Sequence, residues 1–301
     1  MTTLCLKIDV DTERGTRIGV PNLLTLFSEL HIPATFLFSL GPDNTGRALK
    51  RIFRPGFLKK VSRTSVISTY GIRTLLNGVL IPGPHIAKKH AAIMRDTKAQ
   101  GHEVGIHCYD HIRWQDGVHK MSPAEVSAEF GKALASFDHV FNTRALTAGA
   151  AGWQANDKSL QAYDDAHLTY ASDCRGKNIF FPKTNNTIFK TPQIPTTLPT
   201  LDELVGRPEF PEHQLIDYYL SLIKPNQLNI FTMHAEIEGM AKLAWFREFL
   251  IRLQKNHIVF QTMETLAREL LQQRDAIPVC EFLQAEVDGR SGTLAVQGDC
   301  A

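Results

Sequence analysis

The sequence predicts an α/β fold, a distorted (β/α) barrel of about seven strands that resembles a TIM barrel. Short β-branched and aromatic runs alternate with segments of helical period, which is typical of parallel strands joined by crossover helices. The chain has 301 residues and 43% of them are hydrophobic, which is enough for one large domain with a sizeable core. This composition excludes disordered and fibrous proteins.

The first predicted unit is a strand, a helix and a second strand. Leu4–Ile8 is an apolar run of strand length, and Val20-Pro21 opens a helix because proline favours the first helical turn. Ile32-Pro33 stops this helix, and Ala34–Ser39 follows as an apolar strand. The pattern predicts a βαβ unit.

The next elements carry clear boundary signals. Ile86–Gln100 has helical period and is followed by Gly101, and Glu103–His107 is predicted as a strand. The segment Ser122-Pro123-Ala124-Glu125 is a capping box with proline at the first helical position. It predicts a helix that continues to about Phe141.

The second half of the chain repeats the alternation. Strands are predicted at Ala145–Thr147, Leu168–Ala171, Thr187–Lys190, Leu228–Met233 and Ile258–Phe260, and helices at Lys242–Gln254 and Met263–Gln272. Such a number of β/α repeats favours a closed or nearly closed barrel. Residues 288–301 are rich in Gly, Ser and small side chains, so we expect a poorly ordered tail. The predicted division is a barrel over residues 1–275 and a C-terminal extension over residues 276–301.

Cysteine usage and the N-terminal residues predict the compartment. The five cysteines are scattered and form no C-x-x-C pair, which favours a reducing compartment over a disulfide scaffold. The chain begins directly with the first strand, without the basic leader and apolar core of a signal peptide, and has no run of about 20 apolar residues. We therefore expect a cytosol-facing protein with no membrane span.

One interval, residues 44–95, concentrates positive charge. Its 52 residues contain no Asp or Glu and eleven Lys or Arg, while the rest of the chain has 22 basic and 31 acidic residues. Apolar residues alternate with the cations, a composition typical of a basic amphipathic helical element on an anionic membrane. The alternative is a solvated helical hairpin that packs on the barrel. The cations expected to dock on the membrane are Arg51, Arg54, Lys59 and Lys60.

Nucleic acid is not an expected partner of this interval or of the chain. The net charge of the whole chain is only +2, and the interval has three aromatic residues and no recognised nucleic-acid motif.

Two carboxylates follow the first strand. Asp9 and Asp11 are two residues apart, so a continuing strand would point both to the same side. One metal ligand and one base can share such a site. The alternative is that Asp11 caps the turn Asp11-Thr12-Glu13 and Asp9 is only a strand-end carboxylate.

Two imidazoles follow the strand Glu103–His107. His107 and His111 are four residues apart, so a helical turn would put both on one face, where they could bind one divalent ion. A lone H-x-x-x-H also occurs by chance. In an α/β barrel, however, the carboxyl ends of all strands open on the same mouth, which would bring this pair to the aspartates. Two histidines and one aspartate form a facial site with open positions.

A third histidine ends another apolar strand. His234 closes the run Ile230–Met233, and a histidine can donate a proton near neutral pH. The sequence thus makes His234 a candidate general acid. Asp173, after the strand Leu168–Ala171, is the candidate carboxylate to orient it. The alternative for His234 is a rim histidine hydrogen-bonded to backbone.

These segments together resemble a known family. In chain order they are Asp9-Val10-Asp11, G-H-E-V-G-I-H-C-Y-D-H at 101–111, A-G-A-A-G-W at 148–153, S-D-C-R-G at 172–176 and Thr232-Met233-His234. They resemble the motifs of the polysaccharide deacetylase (NodB homology) family over roughly residues 4–270. The resemblance implies a NodB-type barrel and hydrolysis of an N-acyl group on a sugar.

The resemblance also implies residue roles. Asp9 would be the catalytic base and His234 the catalytic acid. Asp11, His107 and His111 would bind one divalent metal ion, and this ligand set suits Zn, Mn, Co, Ni or Fe. The third motif of the family usually carries an arginine that steadies the base, but residues 150–153 contain none.

Two further residues are expected near the substrate. Arg175 is the candidate substitute for the missing arginine of the third motif. Trp153 and Arg175 are expected to contact the substrate, with Trp153 or Leu198 lining a small acyl pocket.

Further strings indicate a branch of the family. Residues 9–21, 41–44, 172–176, 196–200 and 234–239 are similar to those of enzymes that remove a formyl group from an undecaprenyl phosphate-linked formamido sugar. That similarity implies a peripheral enzyme on the cytoplasmic side of the bacterial inner membrane, in the lipid A modification that gives polymyxin resistance. The alternatives are a deacetylase of another N-acylated sugar or glycan, and an inactive membrane-binding module.

Overall fold

A curved parallel sheet of seven strands forms the centre of the computed structural model, which describes residues 2–48, 74 and 76–300. The strands are β1 (Thr2–Val10), β2 (Thr35–Ser39), β3 (Glu103–Cys108), β4 (Thr147–Ala148), β5 (Tyr170–Ala171), β6 (Phe181–Thr184), β7 (Thr187–Ile188), β8 (Ile230–His234), β9 (Ile258–Gln261), β10 (Val279–Glu286) and β11 (Thr293–Cys300). The helices are α1 (Val20–Leu30), α2 (Ile86–Ala99), α3 (His111–Gly117), α4 (Pro123–Phe141), α5 (Asp157–Asp165), α6 (Leu201–Leu204), α7 (Leu215–Leu222), α8 (Leu243–Lys255) and α9 (Met263–Leu270).

The order of strands in the main sheet is β5-β4-β3-β2-β1-β8, and β9 pairs with the first half of β1. The strands of this sheet pair in parallel, and residues 4–10 of β1 are all buried. Burial on both faces is expected for a parallel strand that helices cover on each side. The predicted α/β class with about seven parallel strands is confirmed.

Irregular backbone bridges the gap between β5 and β8. The amide of Ile194 donates to the carbonyl of Ala171 on β5, and the amide of Leu198 donates to the carbonyl of Ile230 on β8. Residues 193–198 therefore connect the two outer strands without forming a regular strand themselves. The result is a distorted barrel, whose strand ends open on one mouth.

The helix and strand boundaries that had local signals are close to prediction. The Ser122 side chain accepts from the Glu125 amide, and the Glu125 carboxylate accepts from the Ser122 amide. This capping box begins α4, which ends at Phe141 as predicted. Helix α2 and strand β3 also lie within one residue of their predicted limits.

The C-terminal residues contradict the expectation of a poorly ordered tail. Strands β10 and β11 form an antiparallel hairpin in a second sheet of order β11-β10-β6-β7, and Cys280 and Cys300 are joined by a disulfide. Only Thr187 and Ile188 of the predicted strand 187–190 are extended, and they belong to this second sheet rather than to the barrel. Contacts with residues that are distant in the sequence hold these segments in place. Local composition does not reveal such contacts.

Half of the predicted basic insert, residues 49–73 and 75, lies outside the described residues. Arg51, Arg54, Lys59 and Lys60 are among them, so their docking role stays a prediction. Within the part of the chain that the structure describes, no helix has both the length and the apolar character that a membrane crossing needs.

Glu103 ties three parts of the barrel together. Its carboxylate accepts hydrogen bonds from the Thr35 hydroxyl at 2.6 Å, from the Tyr170 hydroxyl at 2.7 Å and from the Glu264 amide at 2.8 Å. These donors lie on β2, on β5 and in the first turn of α9. Burial raises the pKa of Glu103 to about 7, against the effect of the three hydrogen bonds. The motif glutamate is thus part of the framework of the barrel.

We expect Glu103→Ala to lower the free energy of unfolding by about 2–5 kcal/mol, because three buried donors lose their acceptor. Chemical denaturation followed by circular dichroism measures the change. Glu248→Ala on α8 is the control, since Glu248 is exposed and its loss should cost less than about 0.5 kcal/mol. Equal midpoints for the two variants would contradict the framework role of Glu103.

Candidate metal centre and active site

Three side chains converge at the mouth of the barrel. Asp11 Oδ1 lies 3.2 Å from His107 Nε2 and 3.4 Å from His111 Nε2, and one ligand atom of each residue falls within 4.8 Å of the others. His107 lies near the end of β3, and His111 is the first residue of α3. A strand-to-helix junction, rather than one turn of helix, brings the two imidazoles together. The predicted ligand cluster is therefore present as a geometric group.

The three side chains influence one another. Burial alone would raise the pKa of Asp11, but the imidazoles of His111 and His107 hold it well below its usual range. Burial alone would lower the pKa of His107, but the carboxylates of Asp9 and Asp11 raise it. Asp11 Oδ1 is buried, and none of the residues that the structure describes forms a hydrogen bond with it. A buried carboxylate oxygen beside two imidazole nitrogens fits a divalent cation.

The loop that carries Asp11 is held by Glu236. Its Oε1 accepts from the Asp11 amide at 3.1 Å, from the Thr12 amide at 2.9 Å and from the Thr12 hydroxyl at 2.7 Å. A Cβ on Gly15 would lie 1.9 Å from that same oxygen, so only glycine fits there. Burial, followed by the nearby Asp11 carboxylate, raises the pKa of Glu236 to about 8. Two distant segments, 9–15 and 234–239, thus form one unit behind the metal ligands.

Asp9 lies beside this cluster with one carboxylate oxygen free. Its Oδ1 is 3.8 Å from His107 Nδ1, too far for a hydrogen bond, and no other residue in the described part of the chain binds it. Its Oδ2 is 3.5 Å from Lys7 Nζ. Asp9 is only 3% exposed. A buried carboxylate with a free oxygen next to a candidate metal site is well placed to accept a proton.

His234 lies on the strand next to Asp9. In the β1–β8 ladder the two residues are direct partners, and the amide after His234 donates to the Asp9 carbonyl at 3.1 Å. The backbone amide of His234 donates to Glu238 Oε2 at 3.0 Å. Burial raises the pKa of Glu238 to about 8. The pairing therefore brings the two proposed proton-transfer residues to adjacent positions on one sheet edge.

Asp173 has other partners than the one predicted. Its carboxylate accepts from the Ala150 amide at 2.6 Å, the Gln193 side chain at 2.8 Å and the Tyr163 hydroxyl at 3.3 Å. These bonds direct it toward the third motif and away from His234, and burial raises its pKa to about 6. The geometry gives Asp173 a role in fixing the loop 149–153 rather than in orienting an imidazole.

Trp153 and Arg175 lie beneath the mouth. The Trp153 ring is 2% exposed, and its Nε1 donates to the Thr196 hydroxyl. Arg175 donates to Glu203 Oε1 at 2.6 Å and to the Leu198 carbonyl, and its guanidinium lies 5.6 Å from the Trp153 ring centroid. The arginine therefore binds Glu203, and none of its contacts within the described residues reaches Asp9. Contact of these two residues with substrate stays a prediction.

Sequence reasoning missed Lys7, Glu236 and Glu238. The two glutamates stand two and four residues after His234, inside a string that already signalled the branch of the family. Lys7 stands two residues before Asp9, so strand alternation alone places it on the same face. Strand alternation, extended back from Asp9, could have found Lys7. The motif that contains His234, extended forward, could have found the two glutamates.

Comparison with known proteins agrees with this geometry. The family model described as polysaccharide deacetylase matches residues 10–171. A protein of Shewanella sediminis (strain HAW-EB3), named "Probable 4-deoxy-4-formamido-L-arabinose-phosphoundecaprenol deformylase ArnD", is 41% identical over 99% of this chain and 95% of its own length. A protein with the same name from Wigglesworthia glossinidia brevipalpis is 32% identical over 94% of this chain and 98% of its own length.

Solved structures agree in fold. One from Mycobacterium smegmatis, described as a polysaccharide deacetylase, has a TM-score of 0.64 at 14% identity and covers 95% of this chain and 96% of its own. A probable polysaccharide deacetylase from Pseudomonas aeruginosa PAO1 has a TM-score of 0.61 at 14% identity, with 90% and 92% covered. At such identities the likeness concerns the fold alone. Since the family model spans more than half of the sequence and the relatives cover nearly all of it, this chain belongs to the polysaccharide deacetylase family.

Proposed function

We propose that this chain is a metal-dependent amide hydrolase that removes the formyl group from undecaprenyl phosphate-linked 4-deoxy-4-formamido-L-arabinose. The observation that carries the reaction class is the convergence of Asp11, His107 and His111 beside the free oxygen of Asp9. The substrate follows from the names of the two relatives that match almost the whole chain. The step would belong to the aminoarabinose modification of lipid A, which gives polymyxin resistance.

Asp11, His107 and His111 would hold one divalent ion. When bound, such an ion polarises the amide carbonyl and makes water a stronger acid. Two imidazoles and a carboxylate suit Zn, Mn, Co, Ni or Fe, and availability in the cell decides among them. Because the three residues come from β1 and from the junction of β3 and α3, the sheet fixes their spacing before any ion binds.

Asp9 and His234 would move the protons. Asp9 Oδ1 accepts a proton from water as the water oxygen bonds to the formyl carbon. His234 gives a proton to the sugar nitrogen as the carbon–nitrogen bond breaks, so formate and the free amine leave. The two residues are partners in the β1–β8 ladder, so one water and one amide can lie between them and the metal ligands.

The enzyme would bind the inner membrane from its cytoplasmic side, because moving its polyprenyl substrate out of the bilayer would cost a large free energy. Charge supports this, since the interval 44–95 carries eleven cations and no acidic residue. The described part of that interval adds an apolar tip of three consecutive residues, Val79, Leu80 and Ile81, which are 53%, 76% and 39% exposed. Arg47 donates to the carbonyl of Gly78 beside them. Cations near exposed apolar side chains are typical of an interfacial contact.

The first experiment compares acyl groups on the same sugar. The purified chain is given undecaprenyl phosphate-linked formamido-arabinose, and in parallel its N-acetyl analogue and an N-acetylated oligosaccharide. We expect release of formate at a rate at least about 100-fold above release of acetate, since a methyl group must be excluded by an acyl pocket built for hydrogen. Faster release of acetate would favour the alternative, a deacetylase of another N-acylated sugar. No release from any substrate would favour an inactive membrane-binding module.

We expect His107→Ala to abolish binding of the divalent ion and turnover together, because only two protein ligands remain. Metal content after dialysis, measured by elemental analysis, checks the first part. His119→Ala is the matched control, since His119 is exposed and its imidazole forms a hydrogen bond with the Gln154 side chain. Full occupancy in the His107 variant would contradict the ligand assignment.

We expect Asp9→Asn and His234→Ala each to keep the metal while lowering kcat by about 10² or more, the usual scale for a general acid or base. Steady-state kinetics and metal analysis on the same preparations check this. If Asp9→Asn removed the metal and Asp11→Asn did not, the roles of the two aspartates would be reversed.

We expect joint replacement of Arg51, Arg54, Lys59 and Lys60 by Glu to release the protein from anionic liposomes, since each cation near the bilayer contributes about 1 kcal/mol. Leu80→Asp should weaken sedimentation with liposomes too, while the control Leu283→Asp, at a 44% exposed leucine of β10, should not. Turnover of a water-soluble short-chain analogue should stay unchanged in all variants. Equal losses on both substrates would mean that these residues support the fold or the active site instead.

A further inference from the structure

Lys7 is a fully buried lysine inside the barrel. It lies on β1, two residues before Asp9, and strand alternation puts these two side chains on one face, while Asp11 directly follows the strand. Its relative exposure is 0%. An ammonium group without solvent must be balanced by a counter-charge or by strong acceptors.

The contacts of Lys7 point to Asp9. Its Nζ lies 3.5 Å from Asp9 Oδ2 and donates to the Ser172 carbonyl at 3.0 Å. The same Nζ is 5.5 Å from the centroid of the Trp153 ring, within reach of a cation–π contact. Asp9 forms an ion pair with Lys7, so each supplies a buried charge that compensates the other.

The third motif leaves space for the lysine. A Cβ on Gly149 would lie 3.0 Å from Cε of Lys7 and 2.6 Å from the Leu37 side chain. A larger residue at 149 would therefore press on the stem that carries the ammonium. The next residue, Ala150, has no charged side chain, so the cation beside Asp9 comes from β1 and not from the motif loop.

Arg175 does not supply that cation. It is bound to Glu203 Oε1 at 2.6 Å and to the Leu198 carbonyl at 3.0 Å. Arg175 and Lys7 both lie near the Trp153 ring, at 5.6 Å and 5.5 Å. Of the two cations, Lys7 is the one that contacts Asp9 within the residues that the structure describes.

We propose that Lys7 is the positioning residue of the base: it binds Oδ2 of Asp9 and leaves Oδ1 free to accept the proton of water. This inference rests on the proposed function, in which Asp9 is the base. Lys7 is not one of the candidate metal ligands Asp11, His107 and His111. Its ammonium fixes the rotamer of Asp9 and compensates the carboxylate charge, and it acts on turnover through this carboxylate.

A double-mutant cycle tests the proposal. The variants are Lys7→Met, Asp9→Asn and the pair, with Lys7→Gln in the same cycle in case the methionine variant does not fold. The matched control is Lys98→Met, because Lys98 is an exposed lysine of α2 that lies 5.8 Å from the ring of Phe141. For each variant kcat, KM, metal content and the unfolding midpoint are measured on the formamido substrate, or on the acetamido substrate if the wild-type chain prefers it.

We expect Lys7→Met to lower kcat by about 10- to 100-fold with KM and metal content unchanged, and Lys98→Met to change none of them. In the Asp9→Asn background, loss of Lys7 should change kcat by less than about threefold, because residues that act as a unit are not additive. Three results would each overturn the proposal. They are losses of kcat that multiply in the double variant, a rise in KM in place of a fall in kcat, and loss of metal in the Lys7 variants. A wild-type chain inactive on both substrates would instead overturn the proposed function, so the two failures are distinct.

Discussion

A row of charged side chains at the end of β1 is the constraint on which the rest of the structure depends. Lys7 and Asp9 lie on β1 and Asp11 directly follows it, and their side-chain exposures are 0%, 4% and 12%. Each charge would cost several kcal/mol in isolation, so the chain must bring partners to these side chains from other strands. His107 and His111 come from the far side of β2, His234 from β8, and the Ser172 carbonyl from the end of β5. The barrel geometry brings these three directions together.

The alternation of side chains along β1 and the order of the motifs in the sequence were enough to predict which residues meet at the mouth of the barrel. The same-face position of Asp9 and Asp11 follows from period 2, and the approach of His107 follows from the common direction of parallel strands. Two features were not predictable from the sequence. Strand β2 lies between β1 and β3, so the aspartates and histidines come from strands that are not neighbours. A strand-to-helix junction, and not a helical turn, aligns His107 with His111. A spacing of four residues is compatible with a helical turn and with a strand-to-helix junction. The Asp110 side chain, which caps α3, fixes the junction.

Other parts of the site were beyond sequence reasoning because they depend on contacts between distant segments. Barrel closure through residues 193–198 uses backbone hydrogen bonds that carry no side-chain pattern. The Glu236 carboxylate accepts hydrogen bonds from the amides of Asp11 and Thr12, which lie 225 and 224 positions away in the sequence. Asp173 resembled an orienting carboxylate because it follows a strand, yet its oxygens bind the loop 149–153. Strand-end position predicts that a residue faces the mouth, but it does not say which neighbour it will bind.

The C-terminal hairpin extends this dependence to residues that composition had suggested were disordered. Arg290, in the turn between β10 and β11, binds Glu203 at 2.7 Å and Asp202 at 3.2 Å, and its guanidinium lies 4.6 Å from the Trp153 ring. Glu203 is buried and also accepts from Arg175, so two cations share one carboxylate beneath the mouth. The Trp153 ring also lies 5.5 Å from Lys7 Nζ. The turn of the C-terminal hairpin thus adds a cation to the charged groups around Trp153, a contact with distant segments that its own composition could not predict.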